Sequence, residues 1–105
     1  MASDVTITQV DWTEQSEQDL RRLSQSQQRE ALEKESLILR NPMVGAHKDR
    51  ELYCKRSLNI DNLRLVYVLR PFEHRAVIIT VDAHDSAYDK ALDWQGVFDR
   101  RNPGA

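Results

Sequence analysis

The sequence predicts a single α+β domain, and three observations carry that prediction. A short β-branched run stands near the start, two helix-start signals follow and close at a proline, and three strand-like runs divided by turn residues precede a last helical segment. Val5–Val10 is mostly β-branched, which suits a strand. Thr13 is placed to cap a first helix, with Glu14, Glu17 and Asp19 as acids near its positive end and Leu20 and Leu23 turned inward. Ser24 and Gln27 form a capping-box pair for a second helix starting at about Gln27, on which Leu32, Ser36 and Leu39 fall at i, i+4 and i+7. Asn41-Pro42 ends it, because proline pushes its predecessor out of helical geometry. The two helices make an αα-hairpin whose apolar stripes need a sheet to cover them.

The second half supplies that sheet. Glu51–Leu58 is one strand, Asn59-Ile60-Asp61-Asn62 is turn chemistry, and Leu63–Leu69 is the strongest strand in the chain. A connection through Arg70–Arg75 leads to Ala76–Val81, whose nearly unbroken apolar run predicts a central strand buried on both faces. Asp82–Asp85 breaks the run. Asp85 is then placed as a cap for a helix with Tyr88, Ala91, Leu92 and Gln95 at helical spacing, and 100–105 reads as a disordered tail. The predicted topology is thus an N-terminal strand, an αα-hairpin, a mainly antiparallel sheet of three further strands and a C-terminal helix.

At 105 residues and 40% hydrophobic content the chain can bury one modest core, so residues 1–105 read as one domain. No stretch reaches the roughly 20 apolar residues of a membrane span, and Met1–Asp4 lacks the basic-then-apolar pattern of a signal peptide. A cytoplasmic protein without a membrane role is expected. The lone cysteine, Cys54, lies in a strand-like run and reads as a buried reduced thiol with no catalytic part. The net charge of −2 hides a segregation: between Arg40 and Arg75 eight Lys/Arg face four acids, a local excess of four between acidic flanks. Such a segment suits an anion-binding face, or equally a solvated sheet edge whose Lys and Arg prevent aggregation.

Particular residues on this frame resemble the RelE/ParE toxin superfamily. They are Leu20-Arg21-Arg22-Leu23, Asn41-Pro42, Asn62-Leu63-Arg64-Leu65-Val66-Tyr67, and Val81-Asp82-Ala83-His84 followed by Tyr88. The likeness runs from about Val5 to Leu92. It implies a type II toxin neutralised by a cognate antitoxin protein, with either of two activities. RelE-like members cleave mRNA on the ribosome as endoribonucleases, whereas ParE-like members inhibit DNA gyrase and cut no RNA. A degenerate member that keeps the fold only to bind a partner is a third alternative.

Cleavage through the ribose 2′-OH needs a group to take that proton, cations to stabilise the phosphorane and an acid for the leaving 5′-oxygen, with no metal or other cofactor. The resemblance implies Arg64 as the phosphate-binding arginine, His84 at a position where many relatives carry arginine, Tyr88 as a phosphate donor or base-stacking ring, and Lys55 as a second cation. Lys48, Arg50 and Arg56 complete an expected nucleic-acid-binding set. Each has a plainer reading: Arg64 as a strand-end surface cation, His84 as a turn histidine bonded to Asp82 or Asp85, Tyr88 as a core contact of the last helix. Ser57 stands where RNA-cleaving relatives often have a second lysine, Arg56 falls on the opposite strand face by alternation, and the isoelectric point is near 5.9. Those departures favour the non-nuclease alternatives. Asp82-x-His84-Asp85 offers three metal-ligand types but no fourth ligand at a recognised spacing.

Overall fold

The computed structural model describes residues 6–47 and 55–91. Strand β1 (Gln9–Trp12) leads into helices α1 (Glu14–Arg22) and α2 (Gln25–Arg40). Strands β2 (Ala46–His47), β3 (Lys55–Ile60), β4 (Leu63–Arg70) and β5 (Arg75–Ala83) follow, with a short 3₁₀ turn at Pro71–Glu73 between the last two. A third helix, α3, begins at 84 and is described to 91. The strands form one five-stranded sheet in the order β1-β5-β4-β3-β2, in which only the β1–β5 pairing is parallel. None of the described helices is long and apolar enough to cross a membrane.

The helix signals act locally, as expected. Thr13 Oγ1 accepts from Ser16 N at 3.0 Å, and Ser24 and Gln27 satisfy each other's backbone N–H groups in a complete capping box. Asn41 terminates α2 just before Pro42. Several boundaries move, among them the start of α2, at Gln25 rather than about Gln27, and the ends of β5, at Arg75 and Ala83 rather than Ala76 and Val81. The first strand forms at Gln9–Trp12 rather than Val5–Val10, because its position is set by pairing with Arg75–Ile78 of β5. The turn after β3 shrinks to Asp61-Asn62, with Asp61 in the left-handed region at φ 57° and Ile60 facing Leu63 in the ladder. The last helix starts at 84, so Asp85 lies inside it and is not its cap.

The sheet separates two apolar clusters. One face meets α1 and α2 through Ile38, Ala31, Ile60, Leu65, Tyr67 and Ile78, with Leu20 and Leu23 packed against them. The other meets α3 through Val66, Val68, Val77 and Ile79 against Ala87 and Ala91. Strand β5 lies between β1 and β4 and is buried on both faces over 76–81, as its apolar run predicts. A bulge at Ile79, between the Tyr67–Ile78 and Val66–Thr80 pairs, shifts the alternation, so that Ile79 and Val81, two residues apart, serve opposite clusters. On α2 the buried positions are Ala31 and Ile38, while Leu32 and Leu39 remain 50% and 42% exposed. The inward face of α2 is thus carried by Ala31 and Ile38 and not by the Leu32-Ser36-Leu39 stripe.

Beyond Trp12, β1 leaves the β5 edge and side chains take over its pairing. Thr13 N and Oγ1 donate to Ile78 O and Ile79 O, and the Asp19 carboxylate accepts from Val81 N at 3.1 Å and from the Thr80 hydroxyl. Asp19 is only 2% exposed and acts as a sheet-edge acceptor, a role beyond that of an acid near the positive end of α1. On the opposite side, Tyr67 donates to Pro42 O at 2.7 Å and accepts from Gly45 N at 2.9 Å, holding the α2–β2 connection against the sheet. Burial pushes the Tyr67 phenol above its ordinary value, against smaller opposing effects of Gly45 N–H and the Arg56 charge.

Candidate functional site

The β4–β5 ladder brings two of the sequence-predicted residues together. Leu63 pairs with Ala83 and Arg64 with Asp82, so the start of β4 and the end of β5, where His84 follows, meet at one end of the sheet. Arg64 shares a face with Val66, which packs on α3, so its side chain lies on the α3 side. Its Nη1 donates to Leu63 O at 3.3 Å, and among the described residues it makes no ion pair. The guanidinium is half-buried at its base and keeps donors for an anion.

His84 and Tyr88 sit one turn apart at the start of α3, ring centroids 4.5 Å apart in an edge-to-face contact. The His84 side chain is 54% exposed, with Nδ1 2.9 Å from Asp85 Oδ1. When Nδ1 carries the proton, Asp85 accepts it and Nε2 is left as a free lone pair. Tyr88 is half-buried and packs against the α3-side cluster, so it both supports the helix and borders His84.

The remaining expected residues divide differently. Lys55 shares the Arg64 face but pairs with Val68, four residues further along β4 than Arg64, which separates them by about 13 Å at strand rise. It is 2% exposed, a buried side chain at a distance from Arg64, where the resemblance implies a second cation. Arg56 lies on the α2 side, as alternation predicts, and donates to Gly45 O at 2.8 Å and Met43 O at 3.3 Å. Those bonds tie its Nη1 to the α2–β2 connection, on the face opposite to Arg64. Lys48, Arg50, Cys54, Leu92, Gln95 and the 100–105 tail lie outside the described residues. Among those described, no group of three His, Cys, Asp or Glu is placed to hold a metal ion.

Sequence reasoning missed a polar network beside Arg64. Lys90 on α3 reaches Asp82 Oδ2 at 2.7 Å and Asp19 Oδ1 at 3.1 Å, while Gln15 Nε2 also donates to Asp19 Oδ1 at 2.9 Å. Burial pushes the Asp82 carboxyl up, but the Lys90 ammonium and the Ala83 N–H outweigh it and hold it below the ordinary aspartate value. Burial likewise pulls Lys90 down, and its two carboxylates more than reverse that. Asp19, Asp82 and Lys90 are 63 and 8 residues apart in sequence, and no local pattern links them.

No protein-family model matches the chain, and neither does any curated protein. Solved structures do. The RelBE2 toxin–antitoxin complex from Mycobacterium tuberculosis aligns over 77% of this chain and 95% of its own, at 25% identity and a TM-score of 0.68. A doubly substituted Escherichia coli toxin RelE in the free state aligns over 86% and 97%, at 19% identity and a TM-score of 0.70. A YoeB/ParE toxin from Agrobacterium tumefaciens aligns over 73% and 99%, at 19% identity and a TM-score of 0.67. The fold is thus that of the RelE/ParE toxins. Within this RelE/ParE-like fold, Arg64, His84 and Tyr88 lie at one end of the sheet.

Proposed function

We propose that this protein is the toxin of a toxin–antitoxin pair and that it cleaves mRNA on the ribosome through the ribose 2′-OH. The observation that supports this most is Arg64: a strand-end guanidinium with no carboxylate partner among the described residues, at the same sheet end as His84 and Tyr88. In the reaction the 2′-oxygen bonds to phosphorus as the bond to the 5′-oxygen breaks. The 2′-OH gives up its proton, the departing 5′-oxygen gains one, and the products are a 2′,3′-cyclic phosphate and a 5′-hydroxyl. Arg64 binds the non-bridging phosphate oxygens as charge builds on them. His84, oriented by Asp85, takes or returns the proton through Nε2, and Tyr88 fixes the imidazole edge and offers its ring to a base. With Arg56 and Lys55 otherwise placed, the site has few phosphate contacts, so the ribosome has to position the substrate.

A cognate antitoxin is the proposed partner, a reading supported by similar folds solved as toxin–antitoxin complexes. The gyrase-inhibiting alternative, and the partner-binding one, draw support from the same thin basic equipment: a buried Lys55, a committed Arg56 and Ser57 at the position of a second lysine. Induction in bacteria, with primer-extension mapping of mRNA ends beside a DNA-supercoiling assay, separates them. New mRNA 5′-ends with unchanged supercoiling support the nuclease; gyrase-dependent breaks with intact mRNA move the protein to the inhibitor class.

A further inference from the structure

Arg64 and Asp82 face each other directly across the β4–β5 ladder. Such partners have Cβ atoms about 4.5–5.5 Å apart, and an opposite-charge pair there ordinarily closes into a salt bridge. Here it does not. Asp82 turns away, with Oδ2 on Lys90 Nζ at 2.7 Å and Oδ1 on Ala83 N at 2.8 Å. Lys90 in turn is held in place by Asp19, whose carboxylate is fixed by Thr80, Val81 N and Gln15.

We propose that Lys90 is a positioning residue: by engaging Asp82 and Asp19 together, it keeps Asp82 off Arg64 and so preserves Arg64 as a site for a phosphate group. This rests on the reading of Arg64 as the phosphate-binding arginine. The chemistry is a competition for one guanidinium. A carboxylate on the opposing strand has a far higher effective concentration than any phosphate in solution, so an unrestrained Asp82 occupies Arg64 first. The ammonium satisfies that carboxylate from the other side. Among the described residues Arg22 is a further cation in the network, 3.9 Å from Asp19 Oδ1, but its side chain is 69% exposed and it lies on α1, a weak competitor for Asp82.

The test follows the Arg64 side-chain Nε–H resonance, assigned by its loss in Arg64→Lys, during titration with inorganic phosphate at low ionic strength. Lys90→Met should weaken phosphate binding at Arg64 at least tenfold, and should shift the Arg64 resonance before phosphate is added. Adding Asp82→Asn should restore both to near the wild type, because no carboxylate then competes, and Lys90→Arg, which can hold both acids, should bind within about threefold of it. Restoration by the second substitution is a result that a merely structural lysine does not produce. Wild-type binding in Lys90→Met, or a double variant no better than the single one, overturns the proposal. If Lys90→Met fails to fold, the double variant decides: near-wild-type binding supports the proposal and a tenfold loss overturns it. If the wild type binds no phosphate, the reading of Arg64 falls, and the shift in phosphate-free Lys90→Met with its reversal in the double variant still judges the Arg64–Asp82 competition.

Discussion

Replacing Asp19 by asparagine keeps the shape of the side chain and removes its charge, which isolates the electrostatic part of its role. In the wild type both oxygens of this 2%-exposed carboxylate accept: Thr80 and Val81 N on one, Gln15 and Lys90 on the other. An amide has a single acceptor oxygen, so one pair of donors meets an NH₂ group. The cheaper arrangement leaves the oxygen toward Val81 N and turns the nitrogen toward Gln15, whose amide can flip to accept from it, and toward Lys90, which falls back on Asp82. The cost is one charge-assisted hydrogen bond, about 1.5–3 kcal/mol, with roughly 1 kcal/mol more as the Val81 and Thr80 bonds become neutral. A loss of about 3 kcal/mol should lower Tm by roughly 10–20 °C for a domain of this size. Urea denaturation followed by both circular dichroism and tryptophan fluorescence measures it, and coincident transitions license the two-state analysis. A loss below about 1 kcal/mol would refute the assignment of Asp19 as the acceptor of the free β5 edge.

Two further predictions address the other face and the charge network. Tyr67→Phe leaves Pro42 O and Gly45 N without their buried partner and should cost about 2–4 kcal/mol by the same denaturation assay, with an unchanged stability showing that the phenol does not hold the α2–β2 connection. The depressed Asp82 carboxyl contributes stability that is present above the ordinary aspartate value of 3.8 and lost as pH falls through its folded value. Lys90, raised above 10.5, contributes stability that is present below that pH and lost as pH rises through its folded value. Lys90→Met should therefore flatten both limbs of the stability profile, the alkaline one because the raised lysine is gone and the acid one because Asp82 loses the ammonium that lowers it; limbs identical to the wild type would contradict the network.

What was legible in the sequence was what local chemistry decides. The Thr13 and Ser24 caps, the stop at Asn41-Pro42, the doubly buried β5 and the opposite faces of Lys55 and Arg56 follow from hydrogen bonds or alternation within a few residues. The inward face of α2 was not legible, because Leu32 and Leu39 form as good an apolar stripe as Ala31 and Ile38, and only the sheet's surface chooses between them. Asp19 looked like any acid in an early helical turn until β1 ended and left Val81 N to be satisfied. At the candidate site, the meeting of Arg64 with His84 was legible from the expected strand order, while the capture of Asp82 by Lys90 depends on how α3 docks. The 2% exposure of Lys55 was not legible either, because lysines are mostly exposed and its burial is a property of packing on the α3 face.

The most direct test of the nuclease reading is single-turnover cleavage of a defined mRNA on programmed ribosomes by the wild type and by Arg64→Ala, with melting temperatures measured in parallel. Wild-type protein should cut at discrete positions while leaving the same RNA intact off the ribosome, and folded Arg64→Ala should cut roughly 10²–10³-fold more slowly, the loss typical of removing one preorganised donor to a developing oxyanion. Absence of any wild-type cleavage, or an undiminished rate in folded Arg64→Ala, would contradict it.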